Sequence, residues 1–301
     1  MPENPSRRIV AVLAIVVVAV LVTGVAAVRI ADSHAEPAWS AIETEQAPED
    51  LVAAVQDQLH RVDHRTVTRV WRVENGTREL RLLNEEAYDF SDAQYIANYA
   101  AVGDASRAAW AQHHTLVAMI GGQYVDSEEG RVLYYADDRR GILVQGEAPV
   151  GSPVGNYRLA DRETIGQSSA RGGLEVAYQF PFFLPYGVDW TVANRQGGNL
   201  TLVVDDPGHV LGARTIFQVT DVHPGTRLEV VLDRETGRPR VVRERRVVSY
   251  EETVENGTSV TRRATFDLET TFRDYGAVDV DAPPGAPAPT LVGLVRDFLA
   301  Y

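Results

Sequence analysis

The stretch "VVLDRETGRPRVV", residues 230–242, reads as two short apolar strands joined by a polar turn. Val230–Leu232 and Val241–Val242 supply the strand residues, and Asp233 and Gly237 lie in the polar segment between them. β-Branched runs on either side of an Asp- and Gly-containing segment are typical of an antiparallel hairpin. This stretch therefore predicts that the C-terminal half of the chain is built from antiparallel strands.

Hairpin patterns continue on both sides of this stretch. Downstream, "PRVVRERRVVSYEETVE", the turn Asn256-Gly257 and "TSVTRRATFDLETTFRDYG" alternate apolar with charged residues, which predicts long strands with one solvated face. Upstream, strands are predicted in "RTVTRVWRVE", "TRELRLL", "TLVAMIGGQYV", "GRVLYYADD", "GLEVAYQF", "NLTLVVDD" and "ARTIFQVTDV". Residues 85–112 fit either a helix or a strand pair, and the pattern does not decide between them.

Two short helices frame the predicted strands. Apolar residues recur at helical spacing within "EDLVAAVQDQLHRV", at Leu51, Val52, Val55, Leu59 and Val62. After a Pro-rich spacer, "PTLVGLVRDFLAY" predicts a closing helix within residues 288–301.

Charge and residue usage argue against several functional classes. The 301-residue chain has 42 acidic against 29 basic residues, for a net charge of -13, and every basic residue is Arg. Such a chain lacks the clustered cations that nucleic-acid binding needs. The balance is typical of an extreme halophile; the alternative, a GC-rich genome that favours Arg codons, explains the missing Lys but less well the acid excess. The absence of Cys excludes disulfides, cysteine-bound zinc and lipidated cysteines.

The N-terminus predicts a membrane anchor. Two arginines precede an apolar or small run over residues 9–28, which is long enough to cross the hydrocarbon core as a helix. A cleaved signal peptide normally has a shorter apolar region, but Ser-His-Ala at residues 33–35 is a cleavage pattern, so removal is the alternative. By the positive-inside rule, residues 1–8 are cytoplasmic and the main domain is extracellular. We expect a single-pass protein of the cell membrane with a linker over residues 29–48.

An extracellular domain would expose three N-glycosylation sequons, at Asn75, Asn199 and Asn256. Two of the three asparagines precede Gly, and Asn-Gly is also a preferred hairpin turn. Turn chemistry alone therefore explains two of the sequons, and the two interpretations are compatible.

The order of elements and one turn motif resemble a known fold family. A leading amphipathic helix, long antiparallel strands, the Asp-x-Glu-Thr-Gly-x-Pro turn at residues 233–239 and a last strand ending "FRDYGAVDVDAPPGAP" are similar to the lipoprotein-carrier (LolA-like and LppX-like) family, which includes relatives in halophilic archaea. The resemblance covers residues 49–84 and 215–287, and the middle is only loosely compatible. Members are often tethered through a lipidated Cys, which this chain lacks, so the segment 9–28 would take over that role.

The resemblance implies a mainly β (α+β) domain over residues 49–287, in which a curved antiparallel half-barrel sheet wraps around a few helices and encloses an apolar cavity for acyl chains. The hairpin at residues 230–242 would then close part of the curve, with a bulge near Val242. Arginines are expected on the convex, solvated side, at Arg238, Arg240, Arg243, Arg245 and Arg246. Aliphatic residues are expected in the concavity, at Val230, Leu232, Val241 and Val247.

The sequence contains no catalytic constellation. His60 and His64 are four residues apart, but a third ligand and a Glu at the metalloprotease spacing are missing, so a solvated helix face explains them better than zinc. Nucleophile-elbow, phosphate-loop, dinucleotide and calcium-loop motifs are absent as well. We therefore expect no enzymatic activity, no metal and no cofactor.

The stretch "FPFFLPYGVDW", residues 180–190, is the candidate ligand-binding segment. Its two prolines exclude an ordinary central strand or helix. An aromatic segment of this kind either packs as core or covers the mouth of a cavity. The residues predicted to form such a lid are Phe180, Phe182, Phe183, Leu184, Tyr186 and Trp190.

Two functions follow from these expectations. The first is a membrane-anchored, extracellular, non-enzymatic protein that binds a lipid or other apolar ligand in the half-barrel cavity. The alternative is a structural or interaction domain of the cell envelope that has the same fold and a core filled by its own side chains. An apolar cavity would favour the first function, and a solid core would favour the second.

Overall fold

A computed structural model defines the fold of the chain. It describes residues 38–91, 94–102, 130–137, 142–149, 157–159, 184, 188–206, 219–253 and 258–285. The compact unit that carries the fold begins at Ala38. Within the described ranges, no helix has the length and hydropathy needed to cross a membrane, and the predicted anchor over residues 9–28 lies outside them.

The described residues form one helix and twelve strands. The helix α1 spans Pro48–Leu59, and Glu49 and Asp50 lie in its first turn, where the helix dipole favours negative charge. The strands are β1 His64–Glu74, β2 Thr77–Asp89, β3 Gln94–Ala101, β4 Gly130–Asp137, β5 Ile142–Pro149, β6 Tyr157–Leu159, β7 Thr191–Asn194, β8 Asn199–Val204, β9 Val219–Val222, β10 Arg227–Asp233, β11 Pro239–Thr253 and β12 Ser259–Arg273.

All of these strands belong to one antiparallel sheet. Its order is β6-β5-β4-β3-β2-β1-β12-β11-β10-β8-β7, and β9 pairs with β11 beside this path. The order runs from β6 at one edge to β7 at the other, so the sheet is open over the described residues. The predicted mainly β, antiparallel class with few helices is confirmed for this part of the chain.

The described part of residues 85–112 is a strand pair. β2 continues to Asp89 and β3 covers Gln94–Ala101, with Tyr88 opposite Tyr95. The predicted strands in "TLVAMIGGQYV" and "GLEVAYQF" and the predicted closing helix lie outside the described residues.

One face of the sheet, here called the inner face, shares a single hydrophobic cluster with α1. The helix contributes Leu51, Val52, Val55 and Leu59, which are at most 1% exposed because their helical spacing places them on one side. The strand members of the cluster are Val70, Leu82, Tyr88, Tyr95, Ala97, Tyr99, Val132, Tyr134, Ala136, Leu200, Leu202, Val204, Leu228, Val230, Leu232, Val242, Val248, Ala264, Phe266, Leu268 and Phe272.

The opposite, outer face is covered in one part and solvated in another. Val278 and Val280, beyond the last strand, pack against Leu133, Tyr135 and Val144 in a second, smaller cluster. The outer face of β10 to β12 instead carries exposed ion pairs. This difference explains why β4 has buried residues at every position from 132 to 137, whereas β12 alternates.

The hairpin predicted at residues 230–242 is confirmed as the β10–β11 connection. Val230 pairs with Val242 on the inner face, and Val231 pairs with Val241 on the outer face. Because Leu232 then pairs with Pro239, the extra residue of the bulge is Arg240 rather than a residue near Val242.

β11 keeps some of its predicted sides and changes others. Arg243 and Arg245 lie on the solvated outer face, as predicted. Val241 and Val247 share that face, so their predicted place in the concavity is wrong. Arg246 was expected in solvent, but it lies on the inner face and is 0% exposed. The bulge at Arg240 accounts for the side of Val241, and regular alternation after it accounts for Arg246 and Val247.

The β10–β11 turn is fixed by Asp233 and by a segment of the predicted linker. The Asp233 Oδ1 accepts hydrogen bonds from the backbone N–H groups of Glu235 and Thr236, at 3.0 and 2.9 Å. The Thr236 carbonyl in turn accepts a hydrogen bond from the Trp39 Nε1–H at 2.9 Å and another from the Ile42 N–H at 3.1 Å. Residues 38–47 of the predicted linker therefore belong to the folded domain.

Candidate functional site

A buried carboxyl group on the inner face accepts hydrogen bonds from four hydroxyl groups of the described residues. Glu86 of β2 is 2% exposed. Its Oε1 accepts hydrogen bonds from the hydroxyls of Tyr95 and Tyr99, at 3.0 and 3.1 Å. Its Oε2 accepts hydrogen bonds from the hydroxyls of Tyr88 and Thr66, at 3.0 and 3.2 Å. Over the part of the chain that the structure describes, Glu86 forms no ion pair.

Strand alternation brings these groups together. Asn84, Glu86 and Tyr88 point to the same face of β2 because successive side chains point to opposite faces. Antiparallel pairing places Thr66 opposite Glu86 and Tyr99 opposite Asn84. The resulting set, here called the Glu86 cluster, consists of Thr66, Asn84, Glu86, Tyr88, Tyr95 and Tyr99.

Burial determines the electrostatics of the Glu86 cluster. Each of the two carboxyl oxygens accepts two of the four hydroxyl hydrogen bonds. Burial raises the pKa of Glu86 above its ordinary value, and the surrounding hydrogen bonds oppose this shift. Burial and then the charge of Glu86 raise the pKa values of Tyr95 and Tyr99 well above the usual range, so both tyrosines remain protonated donors.

Asn84 places an incompletely satisfied amide beside the carboxylate. Its side chain is 1% exposed and lies close enough to Glu86 to lower the pKa of that carboxyl. Within the described residues, however, neither its Oδ1 nor its Nδ2 completes a hydrogen bond of normal geometry. A buried amide in this state costs about 1–3 kcal/mol and commonly marks a place where a water or a ligand group completes the bonding.

Aromatic rings surround the Glu86 cluster. The ring centroids of Tyr88 and Tyr95 are 4.9 Å apart, and Tyr99 meets Tyr134 edge to face at 5.9 Å. His64 stacks on Tyr88, with 4.9 Å between the ring centroids. The cluster therefore combines a single carboxylate with several aromatic surfaces.

The buried position of His64 corrects a sequence-based expectation. The helix ends at Leu59 and His64 begins β1, so His60 and His64 do not share a solvated helix face. His64 is 0% exposed, and burial lowers its pKa to about 4, which keeps the ring neutral at pH 7. Within the described ranges, no group of three His, Cys, Asp or Glu residues could hold a metal ion.

A second buried carboxylate on the inner face has a cationic partner. Arg246 donates hydrogen bonds from Nε and Nη2 to the two carboxylate oxygens of Glu244, at 2.6 and 2.8 Å. The two side chains are 0% and 3% exposed. The guanidinium of Arg246 therefore neutralises the carboxylate of Glu244 through two hydrogen bonds. Glu244 differs from Glu86 in having this cationic partner.

A cleft of about 270 Å³ is lined mainly by charged residues of the outer face. Arg243 at its centre pairs with Glu229 at 2.9 Å and with Glu269 at 3.1 Å. The full lining is Arg78, Arg227, Glu229, Arg243, Glu244, Arg245, Asp267, Leu268 and Glu269. Because eight of these nine residues are charged, this cleft does not have the lining of a lipid site.

The structure describes two of the six predicted lid residues. Leu184 and Trp190 are 2% and 4% exposed and belong to the inner-face hydrophobic cluster. Phe180, Phe182, Phe183 and Tyr186 lie outside the described residues. A cover over a cavity and a permanent core would both bury Leu184 and Trp190, so the lid stays a prediction.

The predicted sequons lie in different environments. Asn75 is exposed in the β1–β2 turn with φ of 50°, and Gly76 follows with φ of 78°, as expected for an Asn-Gly hairpin turn. Asn199 begins β8 and is half-buried. Asn256 lies outside the described residues.

The sequence contains a signal for the Glu86 cluster that the search for catalytic motifs misses. In "LLNEEAYDF", Leu82, Asn84, Glu86 and Tyr88 occupy every second position and therefore lie on the same face of a strand. Strand alternation from two buried positions thus assigns Glu86, but not the adjacent Glu85, to the core side. The tyrosines at 95 and 99 share one parity on the next strand.

Comparisons with known proteins assign no family. No protein-family model and no curated protein matches the chain. Among solved structures, the chain is similar to a domain from Vibrio parahaemolyticus that carries a provisional description as an outer membrane lipoprotein-sorting protein. The identity is 11% and the TM-score 0.23, over 71% of this chain and 84% of that domain. A likeness of this size carries no inference about family or function.

Proposed function

We propose that this chain is a non-enzymatic binding protein that holds a lipid or other apolar ligand against the inner face of its open sheet. The Glu86 cluster is the observation that carries this proposal. Binding sites for small molecules are mainly apolar and aromatic, with a few converging polar groups whose pKa values are often shifted. The inner face has this composition, since Glu86 and Asn84 lie among tyrosines and aliphatic side chains.

The energetic cost of the Glu86 cluster supports a role in binding. A buried carboxylate without a cation and a buried amide without full hydrogen bonding each lower stability by an amount on the order of kcal/mol. On β8 and β10, the inner-face residues of the same sheet are all Leu or Val. An aliphatic residue in place of Glu86 would likewise make the core more stable, so stability alone does not explain the carboxyl group.

A ligand would reach the inner face by displacing part of its cover. Glu86, Tyr95 and Tyr99 are at most 3% exposed, so binding requires a covering segment to move. Residues 180–190 are our candidate for that segment, because Leu184 and Trp190 pack in the same cluster and the sequence has two prolines, which central strands disfavour.

The burial of the inner face also favours a second candidate function. If its cover never moves, the domain is a structural or interaction module of the cell envelope with a filled core. In that case Leu184 and Trp190 are permanent core residues, and no apolar ligand enters.

Mass spectrometry of compounds extracted from the full chain, purified from its own membranes, separates the two functions. We expect one class of apolar compound to co-purify in near-stoichiometric amount. A mock purification from membranes without the chain provides the background. Folded protein with nothing above that background would leave the structural function in place.

We further propose that residues 9–28 anchor the domain in the cell membrane of a halophile, with residues 1–8 inside and the domain outside. The length of the apolar run, the acid excess and the absence of Lys support this placement. N-terminal sequencing of the mature protein should recover residues before Arg29. A mature protein that begins at Glu36 would show that the segment is removed.

A further inference from the structure

The carboxyl group of Glu86 has no cationic partner among the described residues. All four contacts to the carboxylate are made by neutral hydroxyl donors. The other buried carboxylate of this face, Glu244, is neutralised by Arg246. Buried charges in folded proteins are normally paired or coordinated. A ligand of positive charge would give Glu86 the partner that Glu244 already has.

The groups around Glu86 favour the same sign of charge. The hydroxyl oxygens of Tyr88, Tyr95 and Tyr99 lie beside the carboxyl group and can accept hydrogen bonds from a cationic donor. His64 adds no opposing charge, since burial lowers its pKa to about 4 and keeps the ring neutral.

Asn84 shows which kind of cation fits. Its buried Oδ1 is an acceptor without a completed hydrogen bond. An ammonium group that bears N–H donors can satisfy this oxygen, whereas a quaternary ammonium has no donor. The tyrosine hydroxyl oxygens beside it can also accept hydrogen bonds from such a group.

A row of paired residues leads from the Glu86 cluster into the aliphatic part of the inner face. Cross-strand neighbours in this row run in the order Asn84, Thr68, Thr270, Val242, Val230 and Leu202. The row is polar at Asn84 and purely aliphatic at Leu202. At about 4.8 Å per strand, its five steps span about 24 Å, which is similar to the length of an extended acyl chain.

We infer that the Glu86 cluster binds the ammonium group of an amine-bearing amphiphile, whose apolar chain lies along the row from Asn84 to Leu202. This inference rests on the proposed binding function and narrows its ligand to one charge class. Glu86 supplies the carboxylate partner, Asn84 an acceptor, and the tyrosines further hydroxyl oxygens.

Isothermal titration calorimetry with amphiphiles that share a decyl chain tests this inference. The full chain in phosphatidylcholine nanodiscs is titrated with decylammonium, decyltrimethylammonium, decanol and decanoate, each below its micelle concentration, and empty nanodiscs provide the blank. We expect decylammonium to bind at least about tenfold more tightly than decanol, a difference of about 1.4 kcal/mol. Decyltrimethylammonium should bind less tightly than decylammonium, and decanoate should bind most weakly.

Substitutions assign the preference to the cluster. Glu86→Gln keeps the side-chain shape but removes the charge, so it should abolish the preference for decylammonium while decanol still binds. Glu85→Gln is the matched control, because Glu85 is the exposed neighbour on the other face of β2 and its loss should change nothing. If Glu86→Gln fails to fold, Tyr99→Phe, which keeps the ring but removes one hydroxyl, should still reduce the preference.

The outcomes separate the inference from the function on which it rests. Equal affinity for all four amphiphiles, or tighter binding of decanoate, would support an apolar site but overturn the ammonium assignment. A preference that persists in Glu86→Gln would place the cation elsewhere and overturn the assignment to this cluster. Binding of none of the four by folded wild-type protein would overturn the binding function as well.

Discussion

The two ends of the inner face follow the same strand alternation but carry opposite chemistry. β8 and β10 contribute only aliphatic side chains, from Leu200 to Leu232, which are at most 1% exposed. β2 and β3 contribute Asn84, Glu86 and three tyrosines, which are at most 3% exposed. At equal burial, the aliphatic end gains the full hydrophobic stabilisation, while the polar end loses part of it to desolvation. The comparison indicates that stability depends mainly on the aliphatic end and ligand selection on the polar end.

The largest expected effect is a loss of stability at the aliphatic end. Leu202→Ala should lower the free energy of unfolding by about 2–5 kcal/mol, because a fully buried leucine leaves a cavity. Val192→Ala is the matched control, since Val192 pairs with Leu202 from β7 but is 39% exposed. Urea unfolding measures both, and the control should change by less than about 0.5 kcal/mol. Similar losses of unfolding free energy in Leu202→Ala and Val192→Ala would contradict the claim that stability depends mainly on the buried aliphatic end.

At the polar end, Glu86 should make the free energy of unfolding depend on pH. The folded pKa of Glu86 is raised above its ordinary value of 4.5, so the folded state binds this proton more tightly than the unfolded chain. Glu86 therefore lowers stability at neutral pH, and this cost is relieved as the pH falls through the folded pKa toward 4.5.

Glu86→Gln should flatten this part of the stability curve, and Glu85→Gln should retain the wild-type slope. Urea unfolding at several pH values between neutral and 4.5 provides the measurement. An identical slope in wild type and Glu86→Gln would mean that Glu86 does not titrate in this window.

The quoted hairpin shows how far sequence patterns define each region. The Asp- and Gly-containing turn and its flanking strands are confirmed, because local turn chemistry specifies them. The sequence pattern does not show the position of the bulge, since it does not indicate whether Arg240 pairs with a residue of β10 or is the extra, unpaired residue. That one residue decides on which face Val241 lies.

The polar cluster could be predicted only in part, for a related reason. Parity along β2 assigns Glu86 to the inner face, but the meeting of Tyr88, Tyr95 and Tyr99 around it depends on the register between β2 and β3. The fully buried His64 illustrates the same limit, because the end of α1 at Leu59 changes the periodicity on which its face was predicted.

A third and smaller effect is expected at the β10–β11 turn, between the two faces. The hydrogen bond from Arg240 is the main reason that the pKa of Asp233 is lowered to about 2. The stability from ionised Asp233 is therefore present above its ordinary pKa of 3.8 and is lost as the pH falls through about 2.

At neutral pH, Asp233→Ala should cost about 1–2 kcal/mol, and Asp233→Asn, which keeps an acceptor for the turn, should cost less. Thermal melting followed by circular dichroism ranks the three proteins. Equal melting temperatures for the Ala and Asn variants would show that the side-chain acceptor does not stabilise the turn.

The smallest effect is expected on the outer face. Arg243 has a 51% exposed side chain and pairs with Glu229 and Glu269. Arg243→Ala should cost less than about 1 kcal/mol, and the cost should shrink in molar salt because the exposed pairs are screened. A large loss that is independent of salt would show that this ion-pair network stabilises the fold more than the exposed surface suggests.

The central claim is that an apolar ligand occupies the inner face, and photo-crosslinking tests it most directly. The full chain in nanodiscs is incubated with decylammonium that carries a diazirine on its chain, irradiated, digested and analysed by mass spectrometry. We predict labels on inner-face residues of β1 and β12, the strands next to the Glu86 cluster along the row, and excess unlabelled decylammonium should suppress these labels. Labels confined to the outer face, or labels that the competitor does not reduce, would contradict binding at the inner face.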